Sequence, residues 1–169
     1  MTFGKMDKSR MKDYIRVFLK AFGGEPWNEP WTCEQAYKRL ECFLNTPSAY
    51  GLSVELDGEV AGFILGQFEP YYDGLRFYIQ EFCCARAGGG IGTALLAELE
   101  RQLKEKGVVR TYLMTIHGDS TEGYYQRRGY VTDPDNIWMY MAAPRATSFS
   151  LSVMVLDSSC STKVRVSAL

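Results

Sequence analysis

The strongest constraint in this sequence is a glycine cluster between two segments with different periodicities. Residues 88–92 read GGGIG, so four of five positions are glycine. Upstream, LRFYIQEFCC is rich in aromatic and β-favouring side chains and predicts a strand over 75–84. Downstream, IGTALLAELERQLKEKG carries leucines at helical spacing and predicts a helix over 91–107. Such a turn presents backbone N–H groups at the helix N-terminus, which favours a phosphate or pyrophosphate.

Spacing separates the known anion-binding turns of this kind. A dinucleotide fingerprint, G-x-G-x-x-G, counted from Gly88 and Gly90 requires a third glycine where Thr93 stands. That fingerprint also normally follows the first strand of its unit, whereas this turn follows the third predicted strand. A phosphate loop requires a lysine before the hydroxyl residue, and here Gly92 precedes Thr93. Both types are disfavoured, and a connector without a ligand stays open.

The other predicted elements alternate along the chain. Thr32 and Gln35 fit a capping box for the second helix, and Asp57-Gly58 is a strong hairpin signal. The pattern predicts helices over 9–22, 32–45, 91–107 and 120–129, and strands over 50–56, 59–68, 75–84, 109–116 and 136–143. This order predicts one α/β domain with a mixed sheet flanked by helices.

Charge and composition limit the partners. The 169 residues carry 19 Lys and Arg against 20 Asp and Glu, a formal net charge of −1, so no global field favours nucleic acid or an anionic membrane. No apolar run approaches the ~20 residues of a membrane span, and the first residues lack the apolar core of a secretory signal. We therefore expect a cytoplasmic protein. The five cysteines have no paired CxxC spacing with histidine nearby, so no metal is expected.

The stretch EFCCARAGGGIGTALLAELE resembles motif A of the GNAT superfamily of acyl-CoA-dependent N-acetyltransferases, Q/R-x-x-G-x-G/A. Gly90 and Gly92 match the G-x-G of that motif, and Thr93 opens the helix that follows. Ala87 departs from it, because the family usually has Gln or Arg there. This departure puts one polar contact in doubt and leaves the backbone cradle intact.

A second stretch, STEGYYQRRGY, is similar to the final motif of the same family. Tyr125, Gly129 and Tyr130 stand in register with its aromatic-Tyr-x-x-x-Gly-aromatic pattern. The two motifs lie at the family spacing, and the resemblance spans roughly residues 1 to 143. It implies an α/β, GNAT-type mixed and mostly antiparallel central sheet flanked by helices. It also implies an N-acetyltransferase with acetyl-CoA (coenzyme A) as co-substrate.

The resemblance implies roles for particular residues. In GNAT enzymes the strand before motif A carries a bulge and splays from its neighbour, and its free backbone groups hold the pantetheine arm. The implied coenzyme-binding residues are Phe82, Cys83, Cys84, Gly88, Gly89, Gly90, Ile91, Gly92 and Thr93. Tyr125 stands where the family places the general acid for the coenzyme A thiolate, with packing beside Tyr124 as the alternative. Glu81 is the candidate base, directly or through water, and His117 or water alone are alternatives.

The acceptor wall of GNAT folds comes largely from the segment joining the first two helices and from loops near the third and fourth strands. Here those stretches read EPWNEPWTCE and FEPYYDG, which combine carboxylates with aromatic rings. The candidate substrate-binding residues are Glu25, Trp27, Glu29, Trp31, Tyr71 and Tyr72. Such a surface suits a small cationic primary amine, for example a polyamine, an aminoglycoside or a lysine-like amine. A solvated loop and a peptide N-terminus as acceptor remain alternatives.

Two further points stay open at the level of sequence. Residues 144–169 are serine-rich without a helical pattern, so we expect a domain over 1–143 followed by a C-terminal extension of unknown role. A homodimer is compatible with this arrangement. Gly118, Asp119 and Ser120 replace an Asn that the family often has before its last helix. Together with Ala87, this keeps a non-catalytic acyl-CoA-binding sensor or interaction module as an alternative function.

Overall fold

The computed structural model of the chain describes residues 1–141, which form a five-stranded sheet with helices on both faces. The strands are β1 (Thr2–Lys5), β2 (Ala49–Leu56), β3 (Glu59–Tyr71), β4 (Gly74–Cys84) and β5 (Val108–Leu113). The helices are α1 (Met11–Phe22), α2 (Cys33–Leu44), α3 (Ile91–Glu105) and α4 (Glu122–Gln126). None of the helices described over residues 1–141 is long and apolar enough to cross a membrane.

The sheet order is β1-β2-β3-β4-β5. The first four strands pair antiparallel, and β4 pairs parallel with β5. Parallel neighbours need a crossover, which α3 supplies between β4 and β5. The predicted mixed, mostly antiparallel sheet is thus confirmed. The sequence patterns missed β1, a four-residue edge strand that pairs with β2.

Two cores lie on opposite faces of the sheet because side chains alternate along each strand. Phe63 and Leu65 pack beneath α1 and α2, whereas Ile64 between them packs beneath α3. Each of these three side chains is fully buried, which stabilises the fold by roughly 1.5–3 kcal/mol per residue. The sheet is therefore the middle layer of three.

The predicted capping box forms at the start of α2. The backbone N–H of Gln35 donates to Thr32 Oγ1 at 3.2 Å, and the backbone N–H of Thr32 donates to Gln35 Oε1 at 2.9 Å. These bonds satisfy two groups that a helix N-terminus would otherwise leave free. They fix where α2 begins, directly after the loop over residues 23–32.

The predicted last strand is wrong for residues 136–141, and its remaining two positions lie outside the described residues. Residues 136–141 have no regular secondary structure, and their apolar side chains, such as Trp138 and Met141, are exposed. A period-2 apolar pattern favours a strand only where a partner supplies hydrogen bonds and a covering surface. No described strand pairs with this segment. The predicted extension over 144–169 also lies outside the described residues.

Candidate active site

The pairing of β4 changes midway along the strand. Leu75–Ile79 pair with β3 on one side and with β5 on the other. Glu81–Cys84 pair with β3, but the pairing with β5 stops at Ile79 and Leu113. The backbone of this second half therefore has polar groups on one edge that no described strand uses. Phe82, Cys83 and Cys84, the predicted pantetheine-binding residues, lie in this half.

A bulge sets the direction of the side chains in this half of β4. Leu65 lies opposite Glu81 while its neighbour Gly66 lies opposite Ile79, so Gln80 is the extra residue. The bulge thus lies two positions before Phe82, the first of the predicted pantetheine-binding residues. An extra residue inverts the alternation of side chains beyond it. Glu81 consequently points to the α2 side, and Phe82 to the side of α3 and α4.

The glycine turn has the conformation that its sequence predicts. Gly88, Gly89 and Gly90 have φ values of 82°, 66° and 73°, in the left-handed region that glycine adopts at little cost. Added Cβ atoms at these positions would meet nothing within 4 Å, so the turn is open. The first intrahelical bond of α3 runs from the N–H of Ala94 to the carbonyl of Gly90. The N–H groups of the first turn, including those of Ile91, Gly92 and Thr93, therefore lack acceptors within the helix.

The start of α3 packs closely against α4. A Cβ at Gly92 would lie 3.2 Å from Tyr124 Oη and 3.3 Å from Phe82 Cζ. Arg128 lies beside this turn: it donates to Thr93 Oγ1 and, at 2.6 Å, to the carbonyl of Tyr124. Its guanidinium carbon is 3.6 Å from the centre of the Tyr124 ring. An open turn with free N–H groups and a neighbouring guanidinium fits the pyrophosphate of a coenzyme.

Tyr125 lies in an aromatic cluster on the α3 and α4 side of β4. Its ring centre is 5.1 Å from that of Tyr124, 5.5 Å from Tyr130 and 6.4 Å from Phe82. Burial raises the pKa of the Tyr125 hydroxyl above its ordinary value, so the hydroxyl stays protonated. The hydroxyls of Tyr124 and Tyr130 are buried and find no hydrogen-bond partner among the described residues. The helix α4 thus brings Tyr125 to the edge of the unpaired half of β4.

Glu81 is a buried carboxyl group on the other side of the same strand. It is 4% exposed, and Arg39 of α2 donates from Nε to its Oε1 at 2.6 Å, with Nη2 at 2.6 Å from the same oxygen in an ion pair. Burial raises the pKa of Glu81 to about 7, although the adjacent Arg39 opposes this rise. A carboxyl group that titrates near neutrality can both accept and release a proton at cellular pH.

The loop between α1 and α2 reaches this carboxyl group. Trp31 Nε1 donates to Glu29 Oε2 at 2.5 Å, and the Trp31 ring packs on Phe18 of α1 at 5.2 Å between centres. The guanidinium of Arg39 lies 5.6 Å from the centre of the Trp31 ring. The negative charge of Glu29 adds to the rise of the Glu81 pKa. Glu29 and Trp31, two of the predicted substrate-binding residues, are therefore neighbours of the Arg39–Glu81 pair.

A second group of polar aromatic residues extends the same surface along the sheet. Tyr78 and Tyr112 are paired across β4 and β5 with ring centres 5.0 Å apart, and Tyr112 donates to Glu69. Burial and Glu69 raise the pKa of Tyr112 to about 12, and burial with the charge of Glu81 raises that of Tyr78. Carboxylates and aromatic rings thus share this face, and Glu69 among them comes from the acceptor stretch FEPYYDG.

The remaining predicted residues have surroundings of their own. The Trp27 ring packs on Phe22, 5.6 Å between centres, and Glu25 is exposed. Tyr71 lies at the β3–β4 turn with the Arg76 guanidinium carbon 3.7 Å from its ring centre, and Tyr72 is 91% exposed. None of these four side chains is in contact with Glu81 in the hydrogen bonds and ring contacts of residues 1–141.

His117, the alternative base, is 95% exposed, and its Nδ1 lies 2.9 Å from Glu122 Oε2 at the start of α4. The vicinal cysteines face opposite sides of β4. Cys83 is buried in the core beneath α1 and α2, and burial raises the pKa of its thiol. Burial raises the pKa of Cys84 to about 11. Neither thiol is therefore ionised near neutral pH, which disfavours acetyl transfer through a cysteine.

Sequence reasoning missed four residues that surround Glu81 and the glycine turn, namely Arg39, Tyr78, Tyr112 and Arg128, whereas Glu69 belongs to the predicted acceptor stretch FEPYYDG. One signal was available for Arg39, because it interrupts the apolar stripe of α2 formed by Ala36, Leu40 and Phe43. A charged residue on a core-facing stripe usually has a buried partner. The others are recognisable only once strand register and the packing of α4 are known.

Comparisons with known proteins agree with this architecture. Residues 14–130 match the model of the acetyltransferase (GNAT) family. An acetyltransferase of Pectobacterium atrosepticum is 30% identical over 108 residues, which cover 63% of this chain and 71% of that protein.

Solved structures share the fold at low identity. A ribosomal-protein-alanine N-acetyltransferase from Brucella melitensis superposes with a TM-score of 0.67 at 14% identity, covering 83% of this chain and 100% of the other. An aminoglycoside acetyltransferase from an uncultured soil metagenomic sample, solved in complex with sisomicin, gives a TM-score of 0.63 at 16% identity, covering 85% of this chain and 96% of the other. The family match, the half of β4 that does not pair with β5 and the open glycine turn lead to one conclusion: the chain belongs to the GNAT family of acetyltransferases, which use acetyl-CoA as co-substrate.

Proposed function

We propose that this acetyltransferase moves the acetyl group of acetyl-CoA directly to a primary amine of a small cationic acceptor, such as a polyamine, an aminoglycoside or a lysine-like amine. Glu81 is the base, Tyr125 is the general acid, and residues 88–93 bind the pyrophosphate. The catalytic domain covers residues 1–143, with 144–169 as an extension.

The observation that carries this proposal is the buried carboxyl group of Glu81 with its pKa of about 7. An alkyl ammonium has a pKa near ~10, so an acceptor must lose a proton before its nitrogen can attack a thioester. A carboxylate on the half of β4 that does not pair with β5, next to the proposed coenzyme-binding edge, is suitably located for that step. Because Glu81 is 4% exposed, an ordered water between Glu81 and the amine is the natural path for the proton.

The charge of the surrounding surface favours a cationic acceptor. The carboxylates on this face are Glu29, Glu69, Glu81 and Asp73, and the guanidiniums among them are those of Arg39 and of Arg76, which pairs with Asp73. The excess of negative charge and the rings of Trp31 and Tyr78 suit an ammonium group through charge pairing and cation–π contact. An acidic acceptor would meet repulsion at the same surface.

The reaction then needs few protein groups. The coenzyme, when bound, supplies the acetyl group as a thioester. Glu81 receives one proton of the ammonium through water, the neutral nitrogen forms a bond to the acetyl carbon, and the carbon–sulfur bond breaks. Tyr125 donates its hydroxyl proton to the departing sulfur. Because burial raises the pKa of Tyr125 above that of a free thiol, this donation should accompany bond cleavage rather than follow it. The second proton on nitrogen leaves through water and restores the Tyr125 hydroxyl.

The experiment is a panel of amines incubated with acetyl-CoA, with free coenzyme A quantified by chromatography. Thiol reagents are unsuitable, because the free thiols of Cys33 and Cys42 are exposed. The panel contains spermidine, an aminoglycoside, lysine amide, an alanine-terminated peptide and aspartate. We expect turnover with one or more of the small cationic amines and none with aspartate.

A preference for the peptide would identify a peptide N-terminal acetyltransferase instead. Tight coenzyme binding with no turnover on any amine would identify a sensor or interaction module. Either result would contradict the proposed acceptor class while leaving the family assignment intact.

A further inference from the structure

Arg39 holds the candidate base in a particular way. Its Nε donates to Oε1 of Glu81 at 2.6 Å, and its Nη2 lies 2.6 Å from the same oxygen. The guanidinium also contacts two rings, since its carbon lies 5.6 Å from the centre of Trp31 and 5.1 Å from that of Phe43. These contacts restrain the guanidinium although the Arg39 side chain is 35% exposed.

The second carboxylate oxygen is left uncommitted. Among the hydrogen bonds of residues 1–141, none uses Oε2 of Glu81. The Nε hydrogen bond and the ion pair with Nη2 hold Oε1 in place, because a guanidinium is planar and rigid. Oε2 is therefore the oxygen that remains available to water and substrate.

We propose that Arg39 is a positioning residue for acetyl transfer: it holds Glu81 through Oε1 and presents Oε2 as the atom that takes the acceptor's proton. This inference rests on the proposed role of Glu81 as the base. It assigns a function to a residue of α2 that lies 42 positions before Glu81 in the sequence.

The charges around Glu81 give this arrangement a measurable signature. Arg39 faces it from α2, Glu29 from the loop before α2, and Tyr78 and Cys83 from β4. Arg39 lowers the pKa of Glu81, whereas burial and Glu29 raise it. Removal of Arg39 should consequently raise the pKa at which the base loses its proton, by roughly 1 unit or more.

The test compares Arg39→Met, Arg39→Lys and the control Lys38→Met, whose residue pairs with Glu34 on the exposed side of α2. For Arg39→Met we expect a fall in kcat of roughly tenfold or more, an unchanged Kd for acetyl-CoA, and an acid limb of the pH–rate profile moved to higher pH. Arg39→Lys keeps the charge without the planar guanidinium. It should restore the position of the acid limb but not kcat.

A direct titration separates this inference from the function on which it rests. The carboxyl pKa of Glu81 is measured by carbon NMR in wild type and Arg39→Met, with Glu81→Gln to assign the signal. The inference holds if the measured pKa and the acid limb rise together. An unchanged carboxyl pKa overturns the contact with Arg39, whatever the base is. A raised carboxyl pKa with an unmoved acid limb overturns Glu81 as the base, and the positioning role with it.

A loss of kcat and of melting temperature with no shift of the pH profile would reduce Arg39 to a structural ion pair. If Arg39→Met does not fold, Arg39→Lys decides. A wild-type kcat in Arg39→Lys would contradict the need for a planar guanidinium at this position.

Discussion

The two sides of the second half of β4 differ in chemistry although they share one short stretch of chain. On the α2 side, the buried carboxyl group of Glu81 pairs with the half-buried Arg39 next to Trp31. On the α3 and α4 side, Phe82 packs among Tyr124 and Tyr125, and the charged group is the guanidinium of Arg128 beside Tyr124. The strand backbone between them is unpaired with β5 over this half.

This difference indicates a division of labour across a single strand. The α2 side suits removal of a proton from an amine, and the α3 and α4 side suits the coenzyme and the departing sulfur. Changes on one side should therefore leave the other side's function intact.

Glu81→Gln should lower kcat by roughly 10³-fold, because it removes the base and keeps the shape of the side chain. The Kd for acetyl-CoA, measured by calorimetry, should remain that of wild type, since the coenzyme lies on the other side of β4. Glu34→Gln, at an exposed position of α2, is the control. A wild-type rate in Glu81→Gln would mean that water or His117 takes the proton of the amine.

Tyr125→Phe should lower kcat by roughly 10²-fold and leave the coenzyme Kd unchanged, because only the proton donor is lost. Tyr130→Phe removes a buried hydroxyl without a described partner from the same cluster, so it should leave kcat nearly unchanged. Single-turnover kinetics with the preferred amine provide the comparison. Equal rates in the two variants would make Tyr125 a packing residue.

The pH dependence of stability should report Glu81 without any substrate. Its pKa is about 7 in the folded protein against 4.5 ordinarily, so the folded state binds the proton more tightly. This contribution is complete below about pH 4.5 and is lost as the pH rises through 7. The free energy of unfolding of Glu81→Gln, measured in urea, should rise by roughly 3 kcal/mol relative to that of wild type between pH 4.5 and 8. A constant difference would contradict the raised pKa.

Gly90→Asp should weaken binding of acetyl-CoA by roughly tenfold or more, since it adds a negative charge at the first turn of α3. Gly90→Asn has the same shape without the charge and should bind more tightly than Gly90→Asp. Gly107→Asp, at a left-handed position at the other end of α3, controls for backbone cost. Equal affinities for Asp and Asn at position 90 would mean that the pyrophosphate binds elsewhere.

Glu29→Gln should raise the KM for a cationic acceptor about threefold and hardly change kcat. The reason is that the charge of Glu29 attracts the acceptor partly through water, which weakens the attraction. Added salt should have the same effect. Glu25→Gln and Tyr72→Ala should have smaller effects, since neither residue contacts the Arg39–Glu81 pair. If all three variants behave alike, the acceptor binds a broader surface than the one around Trp31.

Much of the local structure could be predicted from the sequence because its causes are local. Gly88, Gly89 and Gly90 permit positive φ values whatever surrounds them. Thr32 and Gln35 cap a helix through contacts three residues apart. The prediction of a strand over 136–143 is wrong in its described part for the opposite reason. A strand depends on a partner strand, which its own residues do not supply.

The sequence by itself determined the succession of helices and strands from α1 to α4, the glycine turn, and the presence of Glu81 and Tyr125 near it. Only the tertiary structure decided which groups meet Glu81. The bulge at Gln80 turns that carboxyl group toward α2, and the packing of α2 brings Arg39 to it across 42 residues of sequence. Such meetings depend on strand register and helix packing, which arise from the whole core, so no local pattern encodes them.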